Sequence, residues 1–114
     1  MLPKPNRLKK QKEFEYIFKN GKTIKGKYFF IRIVPSSQDY CRIGFIVSKK
    51  VAKSAVLRNK IKRRLRAAAR EFRNILGSYD IIFIAYPNIK TASYQEIKKD
   101  LESIIAKNQY LVIN

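Results

Sequence analysis

The sequence predicts an α+β fold, a two-layer α/β sandwich in which helices cover a small mixed sheet. Segments in which apolar residues alternate are interleaved with segments in which they recur every three or four positions, as strands and helices require. Apolar residues form 46% of the chain, the ordinary share for a globular protein. The length of 114 residues suits one modest core, so residues 1–114 are interpreted as a single domain.

The predicted element order is α-β-β-(β)-α-β-α, and the bracketed strand is a short segment near Thr23–Lys25. Residues 1–10 are basic and interrupted by prolines, which indicates an extended arm. A helix is expected over Gln11–Asn20, where apolar residues share one side, and Gly21 is expected to end it.

Two strands and a turn follow the first helix. Tyr28–Val34 is rich in aromatic and β-branched residues, and residues 35–39 form a turn into a second strand, Arg42–Ser48. Apolar residues alternate along this second strand, which predicts that one of its faces is buried.

The remaining elements are bounded by helix caps. A long helix should begin after the N-cap Ser54 and run to about Leu76. Ile81–Ala85 is apolar on both faces, as in a central strand covered on both sides. The capping box Ser93–Glu96 opens the last helix, and residues 108–114 are expected to form a C-terminal tail.

The charge of the chain is concentrated in its first two thirds. The chain holds 26 Lys or Arg against 8 Asp or Glu, a formal net charge of +18. Residues 1–76 carry all of this excess, because residues 77–114 hold four basic and four acidic residues. A localised excess of this size indicates one binding surface for a polyanion, which is either a nucleic acid or an anionic membrane surface.

Several absences limit the chemistry. The chain has no His, and Cys41 is its only cysteine, which excludes Cys-His and Ser-His nucleophilic sites, a disulfide within the chain and a zinc cluster. Met1–Asn6 lacks the apolar core of a signal peptide, and the longest apolar run, residues 81–86, is too short to span a bilayer. We therefore expect a cytoplasmic protein without catalytic side chains of its own.

The long helix carries the densest positive charge. Lys62, Arg66 and Arg70 recur at one-turn spacing on the side opposite its apolar residues, and each like-charged pair costs roughly 0.2–0.5 kcal/mol. Such a row suits successive phosphates of a nucleic acid. A membrane surface is disfavoured as the partner, because a membrane-binding helix usually presents larger apolar residues than this one. The candidate RNA-binding residues are Lys49, Lys50, Lys53, Arg58, Asn59, Lys60, Lys62, Arg63, Arg66 and Arg70.

The segment from Ser48 to Arg66, SKKVAKSAVLRNKIKRRLR, resembles the signature of the bacterial ribonuclease P protein subunit. Further similarity to that family covers most of the chain, at Arg7–Lys10, Glu13–Phe18, Tyr79–Ile82 and Ser93–Tyr94. The family usually has Arg-Asn-Arg where this chain has RNK at 58–60 and often Gly in place of Ala52.

The resemblance implies both fold and function. It implies a fold like domain 2 of ribosomal protein S5, with a left-handed βαβ crossover. It also implies a non-catalytic subunit of an endoribonuclease that binds a catalytic RNA and precursor tRNA and assists removal of the 5′ leader. In this interpretation Mg²⁺ is held mainly by the RNA subunit, and neither DNA nor a membrane is an expected partner.

A cleft for the single-stranded leader is the second site that the resemblance implies. By position, Phe14 and Phe18 match aromatic residues on the first helix, and Tyr28, Phe30 and Arg32 would share the strand face that forms the floor. Family members often have an aromatic residue where Arg32 stands. From spacing alone Phe14 and Phe18 are equally compatible with a place in the hydrophobic core.

Three other classes of function remain as alternatives. A ribosomal or ribosome-assembly protein would use the same basic helix without needing a cleft of exposed aromatic residues. A helix-turn-helix DNA-binding protein is disfavoured, because strands rather than a second short helix flank the long helix. A protein nuclease is disfavoured by the absence of His and of an acidic cluster that could hold two metal ions.

Overall fold

A computed structural model describes residues 3–113 and contains three α-helices and four strands within that range. The elements are α1 (Gln11–Asn20), β1 (Lys22–Lys25), β2 (Phe29–Pro35), β3 (Arg42–Ile46), α2 (Ala55–Phe72), β4 (Tyr79–Ala85) and α3 (Tyr94–Lys107). The α+β class is therefore confirmed, and so is the short additional strand after the first helix.

The four strands form one mixed sheet in the order β1-β2-β4-β3. β2 runs antiparallel to both β1 and β4, whereas β3 and β4 are parallel and are joined through α2. The left-handed sense of that crossover stays a prediction.

Each face of the sheet has its own hydrophobic cluster. Ile31 and Ile33 of β2 and Phe83 of β4 belong to the larger cluster, which α2 and α3 cover. Val34 and Ile82 point to the other face, where Ile17 of α1 and Leu8 of the arm complete a smaller cluster. The sheet and α2/α3 make the two layers of the sandwich, and α1 lies across part of the sheet's second face.

The caps explain where the long helices begin. The Ser54 hydroxyl accepts a hydrogen bond from the backbone N–H of Leu57 (3.3 Å), and the predicted capping box joins Ser93 and Glu96 in both directions (3.0 and 3.2 Å). The expectation that α2 reaches Leu76 is wrong, because the helix ends at Phe72 and Leu76 instead pairs with Val112 of the C-terminal tail.

The N-terminal segment, which the sequence predicts to be an extended arm, is docked against the sheet. Lys4–Asn6 form a short 3₁₀ turn, and Arg7 pairs in parallel with Ile43 at the edge of β3. The backbone N–H of Leu8 donates to the carbonyl oxygen of Ile43 (3.0 Å), and the Leu8 side chain is buried. The predicted arm and tail also include Met1, Leu2 and Asn114, which lie outside the described residues.

No helix within residues 3–113 is both long enough and apolar enough to cross a membrane.

Asp100 fastens α3 to the hairpin formed by β1 and β2. Asp100 is 9% exposed, and its carboxylate accepts hydrogen bonds from the backbone N–H groups of Lys27 (2.9 Å) and Tyr28 (2.8 Å). A Cβ atom at Gly26 would lie only 2.9 Å from the same carboxylate, so the hairpin turn approaches α3 as closely as glycine allows. A buried carboxylate with paired N–H donors ties together elements more than 70 residues apart along the chain.

We predict that Asp100→Asn lowers the free energy of unfolding by about 1–3 kcal/mol, because an amide cannot accept both backbone bonds without placing its NH₂ against a donor. Urea denaturation measures the change. Glu102→Gln is the matched control, since it removes the same charge from an exposed position of α3 and should change stability by less than about 0.5 kcal/mol. Equal losses in the two variants would contradict the role given to Asp100.

Candidate nucleic-acid interface

Helix α2 has one buried side and one basic side. Ile61, Leu65, Ala68 and Ala69 are buried against the sheet and α3, which turns the remaining circumference toward solvent. Most of the predicted RNA-binding residues are exposed on α2 or in the turn before it: Lys49, Lys50, Lys53, Asn59, Lys60, Arg63 and Arg70. We call the outer side of α2 from Asn59 to Arg70 the basic face.

The other three predicted RNA-binding residues, Arg58, Lys62 and Arg66, are half-buried. Arg58 donates through Nη1 to the carbonyl oxygens of Ala52 (3.0 Å) and Lys53 (2.7 Å) and so fastens the turn that precedes α2. The guanidinium carbon of Arg66 lies 5.8 Å from the centre of the Phe45 ring, within cation–π range. Arg58 and Arg66 are therefore held in place by the fold itself.

A pocket of about 230 Å³ lies at the edge of β3, between the basic face of α2, helix α1 and the N-terminal arm. Lys62 and Arg66 line it from α2, and Phe14 lines it from α1. Arg7 and Lys9 complete it from the arm, and among the described residues the buried Nε of Arg7 has no hydrogen-bond partner. We call this space the edge pocket.

The sequence does not single out Arg7 and Lys9 as binding residues, because it predicts residues 1–10 to be a basic extended arm. The available signal was weak. Leu8 is an isolated apolar residue within a basic stretch, and its burial is what carries both neighbours to the edge pocket.

The three apolar residues of α1 have different environments. Ile17 is fully buried and belongs to the core. Phe14 is half-buried and lies over Gly44, where a Cβ atom would come within 2.6 Å of the Phe14 ring, so only glycine fits beneath it. Phe18 is 43% exposed. Spacing left core and surface roles open for both aromatic residues, and the structure places Phe18 at the surface.

The sheet face beside α1 is only partly covered. Phe30 is half-buried, and its ring centroid lies 5.5 Å from that of Tyr86. Ile46 and Ile84 are also half-buried on this face. We call these four side chains the open strip, and Tyr86 is the member that sequence analysis did not single out, although it continues the alternation of β4.

The expectation that Tyr28 shares this face is wrong. Tyr28 precedes β2 and is 9% exposed within the larger cluster. Its hydroxyl group donates to Glu96 of α3 (2.7 Å), which raises the pKa of Tyr28 through that hydrogen bond. The hairpin turn fastened by Asp100 directs this side chain to α3, on the opposite side of the sheet from the open strip.

Arg32 does lie on the predicted face, but its guanidinium is used within the chain. It donates to the carbonyl oxygens of Phe18 and Ile17 and to the Thr23 hydroxyl group (2.7 Å). The carbonyls in the last turn of a helix lack partners within the helix, so Arg32 satisfies the C-terminal end of α1.

Acidic side chains near this interface are paired within the chain. Glu71, the only acid in α2, lies 3.1 Å from Lys98, and that hydrogen bond holds its pKa below the ordinary value. Partial burial raises the pKa of Glu13, but hydrogen bonds from Lys10 and the charge of Arg42 outweigh it, so this pKa is also lowered. Because Glu71 is the only acid in α2 and its carboxylate pairs with Lys98, the basic face keeps a large excess of positive charge.

Comparison with known proteins gives one consistent result. The profile of the family described as Ribonuclease P matches residues 2–109. The ribonuclease P protein component of Alkaliphilus metalliredigens is 41% identical over 103 residues, which cover 90% of this chain and 92% of that protein. The ribonuclease P protein component of Clostridioides difficile is 37% identical over 102 residues, which cover 88% of this chain and 89% of that protein.

Solved structures with the same fold agree. The RNase P protein from Staphylococcus aureus superposes with a TM-score of 0.84 at 32% identity, over 93% of this chain and 97% of that one. The RNase P protein from Thermotoga maritima has a TM-score of 0.79 at 27% identity, over 89% of this chain and 96% of that one.

Proposed function

The chain belongs to the ribonuclease P protein family, and from that premise we propose that it binds the catalytic RNA and the 5′ leader of precursor tRNA and assists leader removal. As a ribonuclease P protein component it takes part in tRNA processing within a ribonucleoprotein. We infer which surface of the chain binds which RNA from the geometry of the basic face, the edge pocket and the open strip. We also propose a cytoplasmic location, because both expected partners are RNAs.

The observation that carries the proposal is the edge pocket, where the basic face meets an aromatic side chain of α1. Phosphate groups can be neutralised by Lys62, Arg66 and the arm cations, while bases can stack on aromatic rings beside them. Stacking tolerates any base sequence, as the processing of many different leaders requires. We assign the exposed basic face to the catalytic RNA, and Phe14, Phe18 and the open strip to the leader.

The three carboxylates that are buried or half-buried, those of Glu13, Asp80 and Asp100, do not fit a magnesium site. Glu13 and Asp80 are paired with Arg42, and Asp100 is occupied by backbone N–H groups. Magnesium prefers an octahedral set of free carboxylate and water oxygens, which these residues do not offer. We therefore propose that Mg²⁺ is held mainly by the RNA subunit and that this chain is a non-catalytic subunit of the endoribonuclease.

Reconstituted cleavage tests the function as a whole. Adding this chain to the cognate catalytic RNA should lower the Mg²⁺ concentration needed to cleave precursor tRNA, because its cations replace part of the counterion requirement. The reconstituted particle should also bind tRNA that carries a leader more tightly than mature tRNA. Equal affinities for the two substrates would contradict the leader assignment, and co-sedimentation with ribosomal subunits alone would favour a ribosomal role.

Phe18→Ala tests the leader assignment at one residue. Loss of one stacked base should weaken binding of leader-bearing substrate by about 1–3 kcal/mol, with affinity for the catalytic RNA unchanged. The fold should persist because the ring is 43% exposed, and circular dichroism checks this. Tyr110→Ala removes an aromatic ring of similar exposure (47%) from the tail and should leave leader affinity unchanged. A Phe18→Ala variant that unfolds would show that this ring is structural.

Arg63→Ala tests the basic face. If Arg63 neutralises one phosphate, the slope of log Kd against log salt for the catalytic RNA should become shallower by about 0.7–0.9. Lys99→Ala is the control, since Lys99 is an exposed cation on α3. Titrations at several salt concentrations measure both slopes, and an identical change in the two variants would show that net charge, rather than the basic face, governs binding.

A further inference from the structure

Arg42, at the start of β3, lies between two carboxylates on the sheet face that α1 covers. Its Nε and Nη2 donate to the two oxygens of Asp80 (2.9 and 2.7 Å), and its Nη1 donates to Glu13 Oε2 (2.5 Å). Arg42 and Asp80 are direct partners in the pairing of β3 with β4, so their bidentate ion pair is built into the sheet. The third of these hydrogen bonds, to Glu13, reaches α1.

Glu13 connects this sheet ion pair to the first turn of α1. While one of its carboxylate oxygens accepts from Arg42, the other accepts from the backbone N–H of Lys10 (3.1 Å), which precedes the helix. The same side chain therefore closes the N-terminal turn of α1 and fixes that turn to β3.

The opposite end of α1 is held in the same manner. Arg32 projects from the same face of the sheet and donates to the carbonyl oxygens of Ile17 and Phe18 in the last turns of the helix. Between the two ends, the Phe14 ring lies in contact distance of Gly44, two residues along β3 from Arg42. A ten-residue helix is thus held at both ends by arginines that arise from the sheet.

We infer that Arg42 and Arg32 form a clamp that sets the height of α1 above the sheet, and with it the spacing of Phe14 and Phe18 from the open strip. In this inference Glu13, Arg42 and Asp80 are positioning residues for leader binding, which act through α1 without touching RNA. The inference rests on the proposed function, because it concerns the proposed leader site formed by Phe14, Phe18 and the open strip.

The physical reason lies in the weak hydrophobic attachment of α1. Ile17 is the one residue of this helix that is fully buried, whereas α2 buries four residues and α3 buries five. Apolar packing is not directional, so a single buried side chain leaves the tilt of a short helix poorly defined. Charge-assisted hydrogen bonds at both ends supply the missing orientation.

Glu13→Gln tests the clamp, with Glu15→Gln as its matched control. Both variants remove one carboxylate from α1, two residues apart, but Glu15 is exposed and bonds only to Gln11 among the described residues. In the reconstituted particle, Glu13→Gln should reduce the affinity ratio of leader-bearing to mature tRNA about three- to tenfold. Glu15→Gln should leave that ratio unchanged, and both variants should bind the catalytic RNA as the parent chain does.

A second measurement reports the position of α1 directly. Because Gly44 lies under the Phe14 ring, its Hα resonances should be displaced by the ring current in NMR spectra of the full chain. Glu13→Gln should move these resonances toward their values in Phe14→Leu, whereas Glu15→Gln should not. Arg42→Lys provides an independent variant, since lysine keeps the charge but cannot bind both carboxylates through a planar fork.

The outcomes separate the two claims. A Glu13→Gln particle that retains the full leader preference and the parent Gly44 resonances overturns the clamp. The proposed function is then still tested separately, by the effect of Phe18→Ala on leader binding. An equal loss in Glu13→Gln and Glu15→Gln also overturns the clamp, because charge alone would then explain the effect. If the parent particle shows no leader preference, the proposed function itself fails and the clamp's role in leader binding fails with it.

Discussion

Strand β4 must be covered on both faces, and the rest of the molecule is arranged around that constraint. It pairs with β2 on one side and β3 on the other, and its residues 80–83 are all buried. α2 and α3 cover the face that carries Ile81 and Phe83, while the other face has only α1 and the arm. Ten helical residues span about 15 Å, so part of that face stays half-covered. The open strip exists because the covering helix is short.

The basic face depends on the same arrangement. Burying a large aliphatic side chain contributes about 1.5–3 kcal/mol, and α2 buries Ile61 and Leu65 completely. Repulsion between like charges one turn apart costs only about 0.2–0.5 kcal/mol per pair. The inner side of α2 therefore stabilises the helix strongly enough for its outer side to carry a continuous row of cations. Folding and the proposed RNA binding use opposite sides of one helix and place few demands on the same residues.

Local patterns in the sequence predicted the elements well, and long-range contacts account for what they missed. Gln11–Asn20 and the Ser93 capping box depend on neighbours within a few residues, so periodicity and capping rules were sufficient for them. The docking of Arg7 against Ile43 and the turn of Tyr28 toward Glu96 depend on residues 36 and 68 positions away. No local pattern encodes such partners. The same applies to Arg42, which in the sequence is an ordinary residue of a predicted strand and whose partners Glu13 and Asp80 are distant along the chain.

The docked arm has a consequence for association between copies of the chain. A sheet with unpaired edge strands can extend by pairing with the edge of another molecule. The arm occupies part of the β3 edge through the Leu8 to Ile43 hydrogen bond, and the opposite edge, β1, exposes Lys22 and Lys25. A second β1 strand placed alongside would bring like charges together across the new pair. Backbone pairing thus shields one edge of the sheet, and positive charge shields the other. Both features oppose edge-to-edge pairing between copies of the chain.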